Sequence, residues 1–429
     1  MVRNREPGTF LLGDSGGFQI AKGLWEGDWK ANSGCAKAQT KREAVLKWLD
    51  GISDYAMTLD IPTWVTKDKK ASDACKIKTV PEAIEATKFN NEYFIANRKG
   101  KNNGGTKILN VLQGSNHTNA ESWYQEMKKY CDPAQYPGRH FDGWAMGGQN
   151  MCDVHLILKR LVTLRYDNLL QEGIHDWMHF LGTSKLEWAV LLTVIQRAVR
   201  KYVNPAFTIS FDCASPFLAT ANGQVYYENT FEHEGKWSYK MAPSADDKKY
   251  ATDTRKWSDG VIQDGIYPGW QESPISDHLQ MKDICIYKPG DLNKNGKEGK
   301  TSWDSFSYML LMGHNVWMHI TAVQEANRRF DAGDYPYMMR YSGPDCERFE
   351  DLVDRIFAAP TKQESLEIIE QYKKYWMEII GTRGNKGKKA LNAETMADVH
   401  LEIEGTGVKI DKPKKQKSTP ISLDHLMEE

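Results

Sequence analysis

The sequence predicts an α/β fold of parallel strands, and the architecture it favours is a TIM-type (β/α)8 barrel. Short apolar runs alternate with amphipathic stretches through the first half of the chain, and polar residues or glycines follow the runs. Strand–helix alternation implies parallel pairing, because a crossover helix returns the chain to the same edge. An open doubly wound sheet also fits, but it gathers polar strand ends mainly at one switch point. Polar ends after nearly every run favour the barrel, where they converge on one mouth.

Five apolar runs predict buried strands that end in a polar or glycine-containing loop. They are YAMTLDIP (55–62), KILNVLQG (107–114), FDGWAMGG (141–148), WMHFLGTS (177–184) and FTISFDCASP (207–216). The apolar run TFLL predicts one more strand, before GDSGGFQIAK (13–22). Helices are predicted between the strands, in TKREAVLKWLDGIS, VPEAIEATKFNNEYFIANR, NAESWYQEMKKYC, VHLILKRLVTLRYDNLLQ and KLEWAVLLTVIQRAVRKYV.

The pattern changes after Asp212. NGQVYYENTFEHEGKWSYKMAP predicts a hairpin with Asn222–Gly223 as its turn, and HNVWMHITAVQEANRRF predicts a long helix. The stretches RGNKGKK (383–389) and KPKKQK (412–417) are basic. We therefore expect a catalytic barrel domain over 1–225, a hairpin and helical region over 226–380 that completes and flanks the barrel, and a basic, largely flexible tail over 381–429.

Composition predicts a soluble cytoplasmic protein. The 429 residues carry 56 Lys+Arg and 57 Asp+Glu, a formal net charge of −1, so no global field draws the chain to nucleic acid. Seven cysteines without paired spacing indicate free thiols in a reducing compartment. The segment MVRNREPGTFLL lacks a signal peptide's apolar core, and no apolar run is long enough for a membrane span.

Three aspartates stand at predicted strand ends: Asp14, Asp60 and Asp212. Taken singly, each is explained as the cap of the following helix. Three carboxylates at one barrel mouth would repel one another, which indicates a functional task. A pair of carboxylates suits chemistry at an anomeric carbon, one as nucleophile and the other as acid/base. The residues alone thus indicate glycosyl transfer or hydrolysis.

Six ordered motifs resemble the tRNA-guanine transglycosylase superfamily: DSGGFQ, LD, VLQG, FDGWAMGG, LGT and FDCASP. The resemblance covers about residues 8–225 and returns at GHNVWMHITAVQEANRRFDAG (313–333). It implies a (β/α)8 barrel that exchanges guanine for a 7-deazaguanine within an intact nucleic-acid strand. That family's barrel has two βα units before the DSGGFQ strand, and we expect them to be missing or replaced here.

The resemblance assigns roles residue by residue. Asp212 is the nucleophile that forms a covalent glycosyl-enzyme intermediate, and Asp14 is the general acid/base. The implied substrate-binding residues are Ser15, Phe18, Asp60, Gln113, Gly147, Gly148, Leu181 and Gly182. Asp60 would accept from the Watson–Crick donors of the base, Gln113 and the Gly148 N–H would donate to its carbonyl, and Phe18 and Leu181 would sandwich the ring. The ordinary alternatives are turn glycines, a strand-end amide and core side chains.

Metal is not expected. The tRNA enzymes hold zinc with three cysteines spaced C-x-C-x-x-C and a later histidine, whereas this chain has DICIYK and His314–Asn315. Lysine does not replace a thiolate, and the remaining aspartate, cysteine and histidine would hold zinc only weakly. Asp283 is that aspartate, and Cys285 and His314 are the weak zinc candidates. We expect no cofactor and under one zinc per chain.

The expected substrate is DNA, and tRNA is disfavoured. The tRNA enzymes follow the nucleophile with a PTR…RNG loop, whereas this chain reads FDCASPFLATANG. That form resembles the DpdA-type DNA-guanine transglycosylases of phages and bacterial genomic islands, which insert 7-cyano-7-deazaguanine (preQ0) or a derivative and protect DNA from restriction. Phosphate contacts would come from Arg328–Arg329 or from Lys386, Lys388 and Lys389.

Two other classes of function are disfavoured. A non-catalytic partner subunit should have lost its nucleophile, and a retaining glycoside hydrolase leaves the guanine-reading residues unexplained. A homodimer is compatible with the sequence.

Overall fold

The computed structural model describes residues 5–100, 103–221, 224–243, 252–260, 273–284, 305–340 and 347–379. The chain divides into two compact units. The first contains the described residues up to Thr183, Leu191–Asp212 and those from Met338 onward. The second contains Ser184–Val190 and Cys213–Tyr337. The predicted tail over 381–429 lies outside the described residues.

A six-stranded parallel sheet forms the first unit. Its strands are β1 (Leu12–Gly13), β2 (Tyr55–Met57), β3 (Lys107–Leu112), β4 (Gly143–Met146), β5 (Trp177–Phe180) and β6 (Thr208–Phe211). Their spatial order is β1-β2-β3-β4-β5-β6, and every neighbouring pair is parallel. The order never reverses among these strands, so the sheet is not doubly wound. It is compatible with part of a TIM-like α/β fold.

Helices link the successive strands. They are α1 (Gly17–Ala21), α2 (Ala36–Leu49), α3 (Lys69–Cys75), α4 (Val80–Asn97), α5 (His117–Met127), α6 (Val154–Tyr166) and α7 (Leu186–Tyr202). Side-chain caps start several of them, because the first N–H groups of a helix lack partners. Thr79 and Glu82 form a capping box on α4, and Asp153 caps α6. The first unit also contains α12 (Phe349–Ala358), α13 (Lys362–Gln371) and α14 (Lys373–Ile379).

One face of the sheet carries an apolar cluster of alternate strand residues: Tyr55, Met57, Leu109, Val111 and Ala145, with Leu12, Trp177 and Leu181 packed against it. The Phe10 ring, just before β1, stacks on Trp177 of β5 with centroids 4.7 Å apart. In a flat sheet these strands would be about 19 Å apart. The contact shows that the sheet curls around this face.

A buried ion pair lies at the amino end of the strands. The Arg98 guanidinium is 2.9 Å from the Asp142 carboxylate, and both side chains are almost fully buried. Arg98 also donates to the carbonyls of His140 and Thr106, and Asp142 accepts from the Ile108 N–H. These bonds fasten the end of α4 to the starts of β3 and β4.

The second unit contains an antiparallel hairpin of β7 (Gln224–Phe231) and β8 (Trp237–Pro243). Its helices are α8 (Ser215–Ala221), α9 (Trp257–Gly260), α10 (Met281–Ile284) and α11 (Ser305–Asp331), and α7 is divided between the units after Val190. Its core consists of Val225, Ala242, Trp257, Met281, Ile284 and Leu311.

The predicted hairpin is confirmed, but its turn was placed wrongly. Residues 232–236 connect the strands, with the Gly235 N–H donating to the Glu232 carbonyl and Glu234 at φ +51°. Asn222–Gly223 comes before β7 and lies outside the described residues. The six predicted parallel strands and the long helix are confirmed. No helix in the described part of the chain is long and apolar enough to cross a bilayer.

Candidate active site

Five of the predicted site residues directly follow a strand of the parallel sheet. They are Asp14 after β1, Gln113 after β3, Gly147 after β4, Leu181 after β5 and Asp212 after β6. Parallel strands present all their carboxyl ends at one edge. Since side chains alternate along a strand, Asp14, Gln113 and Gly147 continue the face that bears Leu12, Val111 and Ala145. The fold therefore gathers these residues at one end of the curled face.

Asp212 is held by two donors on one oxygen. Its Oδ1 accepts the Gly182 N–H at 3.0 Å and faces the His179 Nε2 at 3.1 Å. Gly182 has φ +73°, a conformation that favours glycine and turns its N–H towards the carboxylate. The Asp212 side chain is 61% exposed whereas His179 is 1% exposed. A fixed, solvent-accessible carboxylate is suited to nucleophilic attack.

His179 was not predicted as a site residue. Within WMHF it resembles a core residue of a buried strand, and its relation to Asp212 depends on pairing with the next strand. Parallel register places His179 beside Ser210, and Ser210 shares a face with Asp212 by the two-residue period. A histidine two residues before a strand-end glycine turn, next to an S-x-D strand, is the signal that could have identified it.

Asp14 is accessible to solvent, yet its electrostatic surroundings favour the neutral acid. Desolvation by the surrounding protein raises the pKa of Asp14, and the negative charge of Asp212 raises it further. The backbone N–H of Ser15 donates to Asp14 Oδ1 at 2.7 Å and acts in the opposite direction. The effect of the Asp212 charge shows that the two carboxylates lie near each other, an arrangement that suits an acid and a nucleophile.

Asp60 and Gln113 form a buried pair. Gln113 Nε2 donates to Asp60 Oδ2 at 2.8 Å, and each residue is 4% exposed. Burial raises the pKa of Asp60 to about 7, although the Gln113 hydrogen bond lowers it. A Cβ on Gly17 would lie 2.7 Å from the Asp60 carbonyl and carboxylate oxygens, so the DSGGFQ turn must have glycine there.

Gly147 and Gly148 pack against the Gln113 amide. A Cβ on Gly147 would lie 2.6 Å from Gln113 Nε2, and one on Gly148 would lie 2.5 Å from the Gly114 carbonyl oxygen. Gly148 has φ +57°. The Gln113 Oε1 atom is buried and has no hydrogen-bond partner among the described residues. Leaving a buried polar atom without a hydrogen-bond partner costs free energy. This oxygen is therefore an available acceptor for a ligand or a water molecule.

The two residues predicted to sandwich a ring differ in exposure. Phe18 is 40% exposed, next to buried Trp64 at a centroid distance of 6.0 Å. Lys22 Nζ lies 5.4 Å from the Phe18 centroid and 5.3 Å from that of Trp64. Leu181 is half-buried against the apolar cluster. Phe18 is thus a partly exposed aromatic ring with a cation beside it, and exposed aromatic rings can stack on nucleobases.

Of the two zinc candidates Cys285 and His314, only His314 belongs to the described residues. His314 is buried, with Nδ1 2.9 Å from the Ser273 hydroxyl and Nε2 2.7 Å from the Tyr226 carbonyl oxygen. Burial lowers the pKa of His314 to about 4. Cys285 lies outside the described residues.

A different group has the side chains to hold a metal ion: His117, Asp153 and His155, whose candidate ligand atoms lie within 4.8 Å of one another. His117 Nε2 is 2.7 Å from Asp153, which caps α6, and His155 Nε2 is 2.9 Å from Glu370. Hydrogen bonds to protein groups account for these contacts without a metal.

The predicted phosphate-binding arginines are engaged with acidic groups. Arg328 and Arg329 both bond Glu325, at 2.7 and 2.8 Å. Lys386, Lys388 and Lys389 lie outside the described residues.

Fold and site define a parallel α/β protein with two coupled carboxylates and a buried Asp–Gln pair at the carboxyl end of its sheet. A scan against models of known protein families finds no match, and neither does a search of curated proteins.

Proposed function

We propose that this chain is a DNA-guanine transglycosylase that exchanges guanine in DNA for 7-cyano-7-deazaguanine or a related base, on a partial (β/α)8 barrel. The observation that carries the proposal is the coupled pair Asp14 and Asp212, located at the same sheet edge as the buried pair Asp60 and Gln113. Two neighbouring carboxylates suit chemistry at an anomeric carbon. A buried acceptor and amide beside them suit selection of one base.

The proposed reaction has two displacements. Asp212 attacks C1′ of the nucleotide, the C1′–N9 bond breaks, and its electron pair leaves with guanine as Asp14 donates a proton to the departing base. The incoming deazaguanine then gives its N9 proton to Asp14 and attacks C1′, and the C1′–O bond to Asp212 breaks. Asp14 must begin as the acid, which its raised pKa favours.

Base selection is proposed to depend on Asp60 and Gln113. Guanine presents N–H donors on its Watson–Crick edge where adenine presents an acceptor at N1, so a carboxylate at that edge favours guanine. Gln113 uses one amide N–H for Asp60 and has a second to offer the base carbonyl. The base must leave the stack to reach such a site, as in enzymes that act on flipped or single-stranded bases.

The choice of DNA over tRNA is based on the segment after the nucleophile. Phe217, Leu218 and Ala219 stand where the tRNA enzymes present arginines, and Phe217 is 42% exposed. Each missing charge-assisted bond to a phosphate removes about 1.5–3 kcal/mol from tRNA binding. An apolar segment also offers no partner for the ribose 2′-hydroxyl.

Nucleoside mass spectrometry of DNA and tRNA tests the proposal, in cells that express the chain and are supplied with 7-cyano-7-deazaguanine. We expect the base in DNA and not in tRNA, and in neither when Asp212→Asn replaces the wild type. Incorporation only into tRNA would overturn the DNA assignment and leave base exchange standing. Absence from both nucleic acids would overturn base exchange itself.

A further inference from the structure

A chain of side-chain hydrogen bonds leads from inside the sheet to the candidate nucleophile. Trp177 Nε1 donates to Ser210 Oγ at 2.8 Å, Ser210 Oγ is 2.8 Å from His179 Nδ1, and His179 Nε2 is 3.1 Å from Asp212 Oδ1. Trp177 and His179 belong to β5. Ser210 belongs to β6, and Asp212 directly follows that strand. Each link therefore depends on the register of these two strands.

The chemistry of the donors sets the direction of the chain. An indole N–H only donates, so Ser210 accepts from Trp177 and has its own O–H to give. An ionised carboxylate only accepts, so His179 Nε2 carries the proton that bonds Asp212. In neutral His179 the Nδ1 atom is then unprotonated and accepts the Ser210 O–H. The bonds from Trp177 through Ser210 are compatible with this tautomer.

Two other buried histidines of this unit, His140 and His175, bond backbone carbonyls, whereas buried His155 bonds the Glu370 carboxylate. His140 Nδ1 contacts the carbonyl oxygen of Phe141, and His175 Nε2 contacts that of Cys131. Such bonds satisfy a core side chain with local backbone. His179 resembles His155 in contacting an exposed carboxylate, but its partner is the candidate nucleophile. A buried imidazole N–H needs an acceptor, and the register of β5 and β6 gives His179 that acceptor in Asp212.

We propose that His179 is a positioning residue that holds the Asp212 carboxylate in its attacking orientation, with Ser210 and Trp177 supporting the histidine tautomer. The inference rests on the proposed function, since it gives Asp212 the role of nucleophile. The hydrogen bond that His179 donates also favours the ionised form of Asp212, which the nucleophile needs. Base selection by Asp60 and Gln113 does not involve this series of hydrogen bonds.

The test compares substitutions at His179 in the full-length protein. The short side chain of His179→Asn has no N–H at the position of His179 Nε2. The longer side chain of His179→Gln places an amide N–H near that position. We expect His179→Asn to lower kcat roughly 10- to 100-fold, the effect of losing one hydrogen bond to a charged group, with little change in KM for the free base. His179→Gln should recover most of kcat. Ser210→Ala should fall between wild type and His179→Asn.

His175→Asn is the matched control, because His175 is fully buried in the same unit and bonds backbone. Thermal unfolding and binding of free guanine are measured for every variant. Wild-type kcat in His179→Asn overturns the proposal. The proposal is also overturned if His179→Asn loses no more kcat than His175→Asn, in parallel with its loss of stability, and His179→Gln does not recover that loss.

Nitrogen-15 NMR of the histidine rings separates this inference from the proposed function. It should show His179 with Nδ1 unprotonated and Nε2 protonated, and Asp212→Asn should shift the Nε2 signal. If the wild type exchanges no base, the proposed function is wrong. If the His179 signals are also unchanged in Asp212→Asn, the positioning role is wrong as well. Normal exchange together with the opposite tautomer would overturn the positioning role alone.

Discussion

Gln113 Nε2 lies 2.8 Å from Asp60 Oδ2, and each of the two residues is 4% exposed. The amide keeps the carboxyl group oriented, while burial raises the pKa of Asp60 to about 7. The charge state of Asp60 therefore changes within the physiological pH range, and this has consequences for base binding and for stability.

Base affinity should depend on pH through Asp60. Only the ionised carboxylate accepts from two N–H groups of guanine, and below about pH 7 the group is mainly protonated. We expect guanine affinity to rise towards tenfold per pH unit between pH 5 and 7 and to level off above that range. Calorimetric titration measures it. Asp60→Asn should bind weakly at every pH, and a flat profile in the wild type would contradict the assignment.

Folding stability should show the opposite trend. The folded state keeps the Asp60 proton up to about pH 7, whereas an unfolded aspartate releases it near pH 4. Stability from this group is therefore complete below pH 4 and is lost as pH rises towards 7, at about 1.4 kcal/mol per unit. Between pH 5 and 8 the wild type should lose about 2–3 kcal/mol more than Asp60→Asn in urea unfolding. Equal losses would show that Asp60 titrates normally.

Asp212→Asn and Asp14→Asn should both impair exchange, in distinguishable ways. Without the Asp212 nucleophile no covalent adduct with DNA should form, and exchange should be undetectable. Asp14→Asn should slow exchange by at least roughly 10²-fold, since a general acid/base contributes about that much. Denaturing electrophoresis with labelled DNA detects the adduct. Wild-type exchange by Asp212→Asn would refute the nucleophile assignment.

Arg98→Ala should destabilise the first unit strongly. It removes the partner of Asp142, whose side chain is fully buried, and an uncompensated buried charge costs about 3–5 kcal/mol. Thermal unfolding measures the loss. Arg5→Ala is a useful control, because Arg5 pairs with Asp54 at an exposed site and should matter by less than about 1 kcal/mol. Similar effects of the two substitutions would show that the buried pair is not an anchor.

Much of the fold follows from local pattern. Each of β2 to β6 lies within a predicted apolar run, because parallel strands covered on both faces leave few polar positions. The hairpin turn could not be located in this way. Asn222–Gly223 has the stronger local turn signal, but β7 begins after it, and the connection at 232–236 instead uses Glu234 with a positive φ.

The candidate site was likewise predictable only in part. Asp14, Gln113 and Asp212 were predictable because each immediately follows an apolar run. The role of His179 was not, because its bond to Asp212 depends on strand register, which a single sequence does not specify. The Asp60–Gln113 bond likewise joins loops from different strands, so motif order suggests proximity but not that these two residues bind each other.

The unbroken order of the six strands bears on how the site is acquired during folding. Each strand pairs with the next one along the chain, so the sheet can grow by stepwise addition of neighbours. Asp14 follows the first strand and Asp212 the last, about 200 residues later. Intermediates with fewer strands can contain much native helix while the two carboxylates are still far apart. Recovery of activity during refolding should therefore lag behind recovery of helical circular dichroism.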